Sequence, residues 1–266
     1  MRQPVYFLSH GGPSSMLEIE SAPYQYWTAV GKEIKSSKPE GIVIFSAHWD
    51  SDQEGEVDVS FDEDNELIYD FYGFPAHYYN VKFRSKNPSI FHNMIADTIH
   101  RSGFKTRGKK RGLDHGAWVP LKVMFDGATD IPICQVALPS RENPEANIKI
   151  GKAASSLREE NVLIICSGMA IHNLQVAMSD TPFEVDISPF KAFDNALYEA
   201  ITSPQSARET KMKKLMKHSE FRKSHPTGEH LMPIYVALGA AGSDNAKLVF
   251  NQIQPGLGWA MYYFKP

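Results

Sequence analysis

The sequence predicts a single α/β domain with a central, mainly parallel (mixed) sheet flanked by helices. Three observations predict it. Short β-type runs alternate with longer amphipathic runs along all 266 residues, the order expected of strand–helix–strand units. Several short runs, such as VYFLS, GIVIFSA and VLIICSG, are continuously apolar, as strands covered on both faces are. No internal repeat, low-complexity tract or linker-like shift in composition divides the chain, so residues 1–266 read as one domain.

The strands are expected at Val5–Ser9, Gly41–Ala47, Val57–Phe61, Ile131–Leu138, Val162–Gly168, Leu248–Gln252 and Gly258–Phe264. The third strand and the C-terminal pair are candidates for antiparallel additions. Between Val5–Ser9 and Gly41–Ala47, Ser21 and Pro23 open a helix with Trp27, Val30 and Ile34 on one face. Asn87-Pro88 opens a second, with Phe91, Met94, Ile95 and Ile99, closed by Gly103. Asp114 reads as an N-cap for a helix starting near His115. Asn143-Pro144 opens another helix, ending before Asn161. Ser188-Pro189 opens one with Phe190, Phe193, Leu197 and Ile201. At Asn87, Asn143 and Ser188 a capping residue precedes proline at the first helical position. A last helix spans roughly Glu229–Ala240, with Gly242 as its stop. The segment DEDN at 62–65 reads as an exposed acidic turn.

Composition removes several functional classes. No run approaches the roughly 18 apolar residues of a membrane helix, and the start, MRQPVYFLSHGG, has too short an apolar run for a signal peptide. A net charge of −3 gives no global reason to bind nucleic acid. The basic runs Lys109–Arg111 and Lys211–Lys217 read as a solvated loop and a solvated helix face. Cys134 and Cys166 sit inside apolar runs without metal-finger spacing, so they read as small buried hydrophobes in a cytoplasmic, reducing setting.

The unusual number is ten histidines against two cysteines. Three follow the C-terminal end of an apolar strand: His10 after VYFLS, His48 after GIVIFSA, and His172 four residues beyond VLIICSG. Open α/β sheets build their sites outside those strand ends. A lone histidine there is ordinarily packed or solvated, but three in matching places could converge on one metal. His230, in HPTGEHLMPI, falls in or near the first turn of the last helix, where the helix dipole favours neutral imidazole. Its neighbour Glu229 could ligate, accept a ring N–H, or serve only as a first-turn acid. His115, in GLDHGAWVPL, could line a pocket. His77, His92, His100 and His218 read as structural or surface residues, and His225 as a loop residue.

The segments SHGGP, SAHW, YDFYGFP, KKRGLDHGAWVPL, SGMAIHN and HPTGEHLMPI, in that order from about Phe7 onward, resemble the class III extradiol ring-cleavage dioxygenases, in particular their DOPA-dioxygenase (LigB-like) branch. The resemblance implies one divalent metal per chain, Fe(II) for activity, with Zn(II) often found in isolated homologues. It implies His10, His48 and His230 as metal ligands, and His172 as an acid/base that some homologues use as a further ligand. His115 would hold substrate. The implied partners are a small catechol and O2. The stretch Asn173–Ser179 lacks the form that marks plant enzymes specialised for betalamic acid, so the implied substrate is the catechol class rather than DOPA itself. Two other functions remain open from the residues: a zinc hydrolase with Glu229 as base, and a metal-binding module without chemistry.

Overall fold

Val5–Ser9, Gly41–Ala47 and Val162–Gly168 are apolar at nearly every position because they form the middle of the sheet. In the computed structural model, which describes residues 2–51, 53, 55–181 and 184–266, the chain runs β1 (Val5–Ser9), α1 (Ala22–Ser37), β2 (Gly41–Asp50), β3 (Glu56–Ser60), α2 (Ser89–Arg101), β4 (Lys105–Lys109), α3 (His115–Phe125), β5 (Ile133–Leu138), α4 (Pro144–Ala154), β6 (Val162–Gly168), β7 (Ile171–His172) and α5 (Leu174–Ala177). It continues through α6 (Ser188–Ile201), α7 (Gln205–Lys214), α8 (Phe221–Ser224), α9 (Met232–Ala241), β8 (Asn245–Phe250), β9 (Ile253–Gln254), β10 (Leu257–Gly258) and β11 (Met261–Lys265). Eight strands form one sheet in the order β4-β3-β5-β2-β6-β1-β11-β8, and β7, β10 and β9 form a small separate sheet.

β1, β6, β2 and β5 pair in parallel. β11 and β8 are antiparallel additions at one edge, and β3 runs antiparallel to β5. The architecture is therefore the expected single α/β domain with a mixed sheet. Side chains alternate strictly between two cores. Val43, Phe45, Ile164 and Cys166 face one layer with α2, α4, α6 and α9. Ile42, Ile44, Leu163 and Ile165 face the other, with α1 and α3. Both cysteines are buried and unbridged. No helix among the described residues is long and apolar enough to cross a membrane.

Capping explains the helix starts, with two corrections. The side chains of Ser21, Asp114 and Asn143 accept backbone N–H groups from Tyr24, Ala117 and Ala146. Asn87 and Ser188 do not cap. Pro88 itself occupies the cap position of α2, and the Asn87 side chain is buried, donating to the Ser60 carbonyl. In α6 Ser188 is the first helical residue, and Asp186 accepts its N–H. Pattern reasoning missed β4, whose sequence KTRGK is polar because it is an edge strand. Its basic side chains meet Glu56 and Asp58 of β3. The strand expected at Leu248–Gln252 begins earlier, at Asn245, and Asn65 of the acidic turn is buried, donating to Ser85 and the Ile133 carbonyl.

Candidate metal centre

The parallel order β2-β6-β1 brings the C-terminal ends of three strands to one side of the sheet. His10 directly follows β1, and its backbone N–H donates to Gly168 O at the end of β6. His48 lies within β2, beyond the last β6 pairing at Ser46 and in the stretch where the ladder to β5 is irregular. Such irregularities re-aim side chains. His172 follows β6 on the short strand β7. His230 comes from a 3-10 turn, Glu229–Leu231, that leads into α9. Met169 N–H bonds to His230 O there, and a Cβ on Gly168 would sit 2.3 Å from that oxygen, so only glycine lets this turn close on β6. His115 is the first residue of α3.

The five sequence-selected histidines thus meet. Ring centres are 5.0 Å apart for His10–His48, 5.3 Å for His10–His230 and 4.9 Å for His48–His230. His115 lies 4.0 Å from His48, and His172 stacks on His230 at 3.5 Å with planes 14° apart. His10, His115 and His230 are buried.

Hydrogen bonds sort the ring nitrogens. Ser167 Oγ donates to Gly116 O and so receives His10 Nδ1–H, 3.1 Å away. His230 Nδ1 faces Glu229 Oε1 at 3.1 Å. His48 Nδ1 points toward Asp70 Oδ2 at 3.6 Å, a charge contact longer than a hydrogen bond. With Nδ1 of His10 and of His230 engaged in this way, the lone pairs of those two rings lie on Nε2. The Nε2 atoms of His10 and His48 approach to 3.2 Å. Two metal–nitrogen bonds of about 2.0–2.1 Å span such a gap and set neighbouring ring centres on the order of 5 Å apart. The donor set therefore fits a single divalent ion. Two groups of three ligand atoms lie within 4.8 Å of one another: His10, His48 and His115, and His172, Glu229 and His230.

Burial is the first cause of the electrostatics. It holds His10 and His230 well below the ordinary imidazole range, with the neighbouring rings adding to the effect. His48 is lowered to about 4, burial and His115 outweighing the carboxylates of Asp114, Asp70 and Glu229. His172 is lowered to about 3, chiefly by burial. All four rings are neutral at pH 7, the form that ligates. A pH dependence follows. The unfolded chain takes up these protons near pH 6.5, whereas the folded, metal-free protein refuses them until about pH 4 or lower. Stability is therefore fully present above about pH 6.5 and is lost as pH falls toward 4. Thermal melts of metal-free protein between pH 7.5 and 4.5 are expected to show a Tm that is level above about pH 6.5 and falls steadily below it. A flat Tm over that range contradicts the burial of neutral imidazoles.

Sequence reasoning missed the supports of the site. Asp114 caps α3 as expected, but it is also a fully buried hub. Its carboxylate receives Ser46 Oγ–H, Gln135 Nε2–H and Arg111 Nη1–H. Arg111 also donates to His48 O and lies 4.6 Å over the Trp49 ring. This corrects the reading of Lys109–Arg111 as a solvated loop. His225, read as a loop residue, is fully buried and bonds Ala170 O at 2.9 Å, two residues before His172. Glu229 accepts from Thr227 as well as facing His230. Trp118 is core, its Nε1–H on Ile68 O. A Cβ on Gly116 would lie 2.5 Å from Ser46 Oγ and 2.7 Å from His48 Cδ2. Gly116→Ala is thus expected to displace the His48 ring and weaken Zn(II) binding about 10–100-fold, the usual cost of disturbing a ligand's support. Calorimetric titration of metal-free protein measures it.

Residues 4–256 match the family described as the catalytic LigB subunit of aromatic ring-opening dioxygenase. A 4,5-DOPA dioxygenase extradiol from Beta vulgaris is 37% identical over 256 residues, covering 95% of this chain and 92% of the relative. A 4,5-DOPA dioxygenase extradiol-like protein from Schizosaccharomyces pombe is 35% identical, covering 92% and 87%. The crystal structure of an uncharacterized protein from Escherichia coli K12 superposes with a TM-score of 0.79 at 23% identity, covering 99% of this chain and all of that one, and so shares the fold.

Proposed function

From the premise that the chain belongs to the LigB family and is an extradiol ring-cleavage dioxygenase acting on a small aromatic molecule with O2, we propose that it is a cytoplasmic Fe(II) enzyme that opens catechols, with residues 1–266 as its one catalytic domain. The observation that carries this reading is the convergence of three neutral rings, the buried His10 and His230 and the partly buried His48, whose Nδ1 atoms are turned to Ser167, Glu229 and Asp70 respectively. These three would hold the metal. A ferrous ion there supplies Lewis acidity toward a catechol hydroxyl and the electron exchange that O2 chemistry requires.

The protein's own groups do the rest. His172 has no hydrogen-bond partner on its ring among the described residues and stays neutral, so a ring nitrogen is free to take the remaining phenolic proton. His115 presents a ring nitrogen within 4.8 Å of those of His10 and His48, where it would hold the substrate's oxygen. Glu229, engaged by His230 and Thr227, orients a ligand rather than activating water, which disfavours a zinc hydrolase. Both atoms of O2 end in the product as the ring opens beside the diol, leaving an aldehyde and a carboxylate.

Three neutral ligands give the centre one more positive charge than two histidines and a carboxylate would, which favours an anionic catecholate. The relatives named for DOPA make it the first substrate to try, within a panel of small catechols. Metal-free protein is loaded anaerobically with Fe(II), given each catechol, then exposed to air. One O2 consumed per substrate and a yellow ring-opened product are expected, with Zn(II)-loaded protein silent. Absence of O2 uptake with every catechol, together with ester or amide turnover on Zn(II), overturns the reading.

A further inference from the structure

Of the segment YDFYGFP, the metal-centre reading uses only the contact of Asp70 with His48, yet this aspartate also reaches a second ring. Asp70 Oδ1 accepts the backbone N–H of His115 at 2.9 Å. The same oxygen lies 3.0 Å from His115 Nδ1, close but poorly aligned with the ring N–H. Its other oxygen, Oδ2, is the one that faces His48 Nδ1 at 3.6 Å. One carboxylate therefore addresses two rings that arrive from different elements, β2 and α3.

The chain spends several residues to place it. Leu67 pairs with Leu113 as a parallel bridge. Leu113 N–H donates to Glu66 O, and Ile68 N–H donates to Leu113 O, each at 2.8 Å. A Cβ on Gly112 would sit 2.2 Å from Glu66 O, so glycine is required where the two segments touch. The Trp118 indole pins Ile68 O from α3. On the far side of Asp70, the Phe71 ring stands edge-on to His115 with planes at 90° and centres 5.9 Å apart. The strap 66–71 is thus fixed at both ends, and Asp70 has little freedom between them.

We propose that Asp70 is a positioning residue that sets the Nδ1–H tautomer of both His48 and His115, so that one carboxylate aims a metal ligand and a substrate-binding ring together. The proposal rests on the metal-centre reading for the consequence, but not for the tautomers. Carboxylates that receive the second N–H of a ligating imidazole fix its tautomer and raise its basicity. Asp70 differs from a single-ring support because the two rings it serves have different tasks, so its loss has two separable effects. An Asn amide in its place keeps the shape but turns a donor toward one of the rings. That ring is then driven to the Nε2–H form, which cannot ligate through Nε2.

The test compares wild-type protein, Asp70→Asn and Asp70→Ala, each labelled with 15N-histidine. Two-bond 1H–15N spectra of the metal-free proteins report the tautomer of each ring. Metal-free wild type is expected to show an Nδ1–H ring for His115 and, for His48, a proton shared between Nδ1, facing Asp70, and Nε2, 3.2 Å from His10 Nε2. Asp70→Ala is expected to lose the Nδ1–H population at both rings, and Asp70→Asn at His48, which its amide N–H2 faces while its oxygen keeps the His115 side, with His10 and His230 unchanged in each. Titration with Zn(II) alone is expected to give an affinity lower by about 10–100-fold in the variants. With the residual Fe(II)-loaded Asp70→Ala enzyme, KM for catechol is expected to rise alongside the fall in kcat, because His115 is also released. Unchanged tautomers at His48 and His115 in a folded Asp70 variant overturn the proposal. If wild type fails to bind Zn(II), the metal-centre reading falls, while the metal-free spectra still decide the role of Asp70. Asp70→Ala answers the same question if the Asn variant does not fold.

Discussion

Replacing His230 by Ala is expected to bring bound metal from one per chain to below about a tenth and to reduce catechol turnover to background. The argument is geometric. His10 and His48 alone offer two neutral nitrogens 3.2 Å apart, and His230 closes the triangle with ring centres 5.3 and 4.9 Å from theirs. Removing it leaves a two-nitrogen site in which solvent replaces a buried ligand, and metal affinity in such sites depends on the full ligand set. The substitution also leaves Glu229 without the ring N–H it faces. A control separates ligand loss from loss of a buried imidazole. His92 is equally buried, bonded to Asn87 O and stacked on Phe61. His92→Ala is expected to lower Tm and leave the metal in place. Metal analysis after desalting, with O2 uptake, reads both variants. Stoichiometric metal in His230→Ala would instead assign the ion to the other compact group, His10, His48 and His115.

The limits of the sequence reading have physical causes. The middle of the sheet was legible because β1, β2 and β6 are covered on both faces, so nearly every position up to Leu8, Phe45 and Cys166 is apolar and the run cannot be mistaken for a surface strand. The edge strand β4 was invisible because an edge strand is polar in order to resist further pairing. His10, His48 and His172 could be selected because strand-end position is a one-dimensional property, and the sheet order then gathers strand ends into one place. Their supports could not. Asp70, Arg111, Ser167 and His225 act through side chains that reach from distant segments, and nothing in the local pattern of YDFYGFP or KKRG marks which polar residue turns inward. His225 shows the same point from the other side: flanked by polar residues, it reads as loop, yet the bond to Ala170 O makes its burial tolerable.

Replacing His172 by Ala is expected to spare the metal and to reduce turnover by about 10²–10⁴-fold, the usual contribution of a general acid or base. The stacking supports a base over a fourth ligand. Rings that share one ion through bonds of about 2.0–2.1 Å stand on the order of 5 Å apart, as His10, His48 and His230 do. His172 lies only 3.5 Å from His230, nearly parallel to it, a separation set by face-to-face contact rather than by a common ion. Its ring is also less buried than those of His10 and His230, consistent with a group that meets substrate arriving from outside. Alanine removes both the nitrogen and the stack, so the effect needs dividing. His172→Phe keeps an aromatic face against His230 and removes only the proton-accepting nitrogen. Equal losses of kcat in the Ala and Phe variants, with one metal per chain in each, assign the loss to proton transfer. Recovery of turnover in the Phe variant assigns the role to packing. Loss of metal from both makes His172 a ligand, with its ring rotated out of the stack when the ion binds.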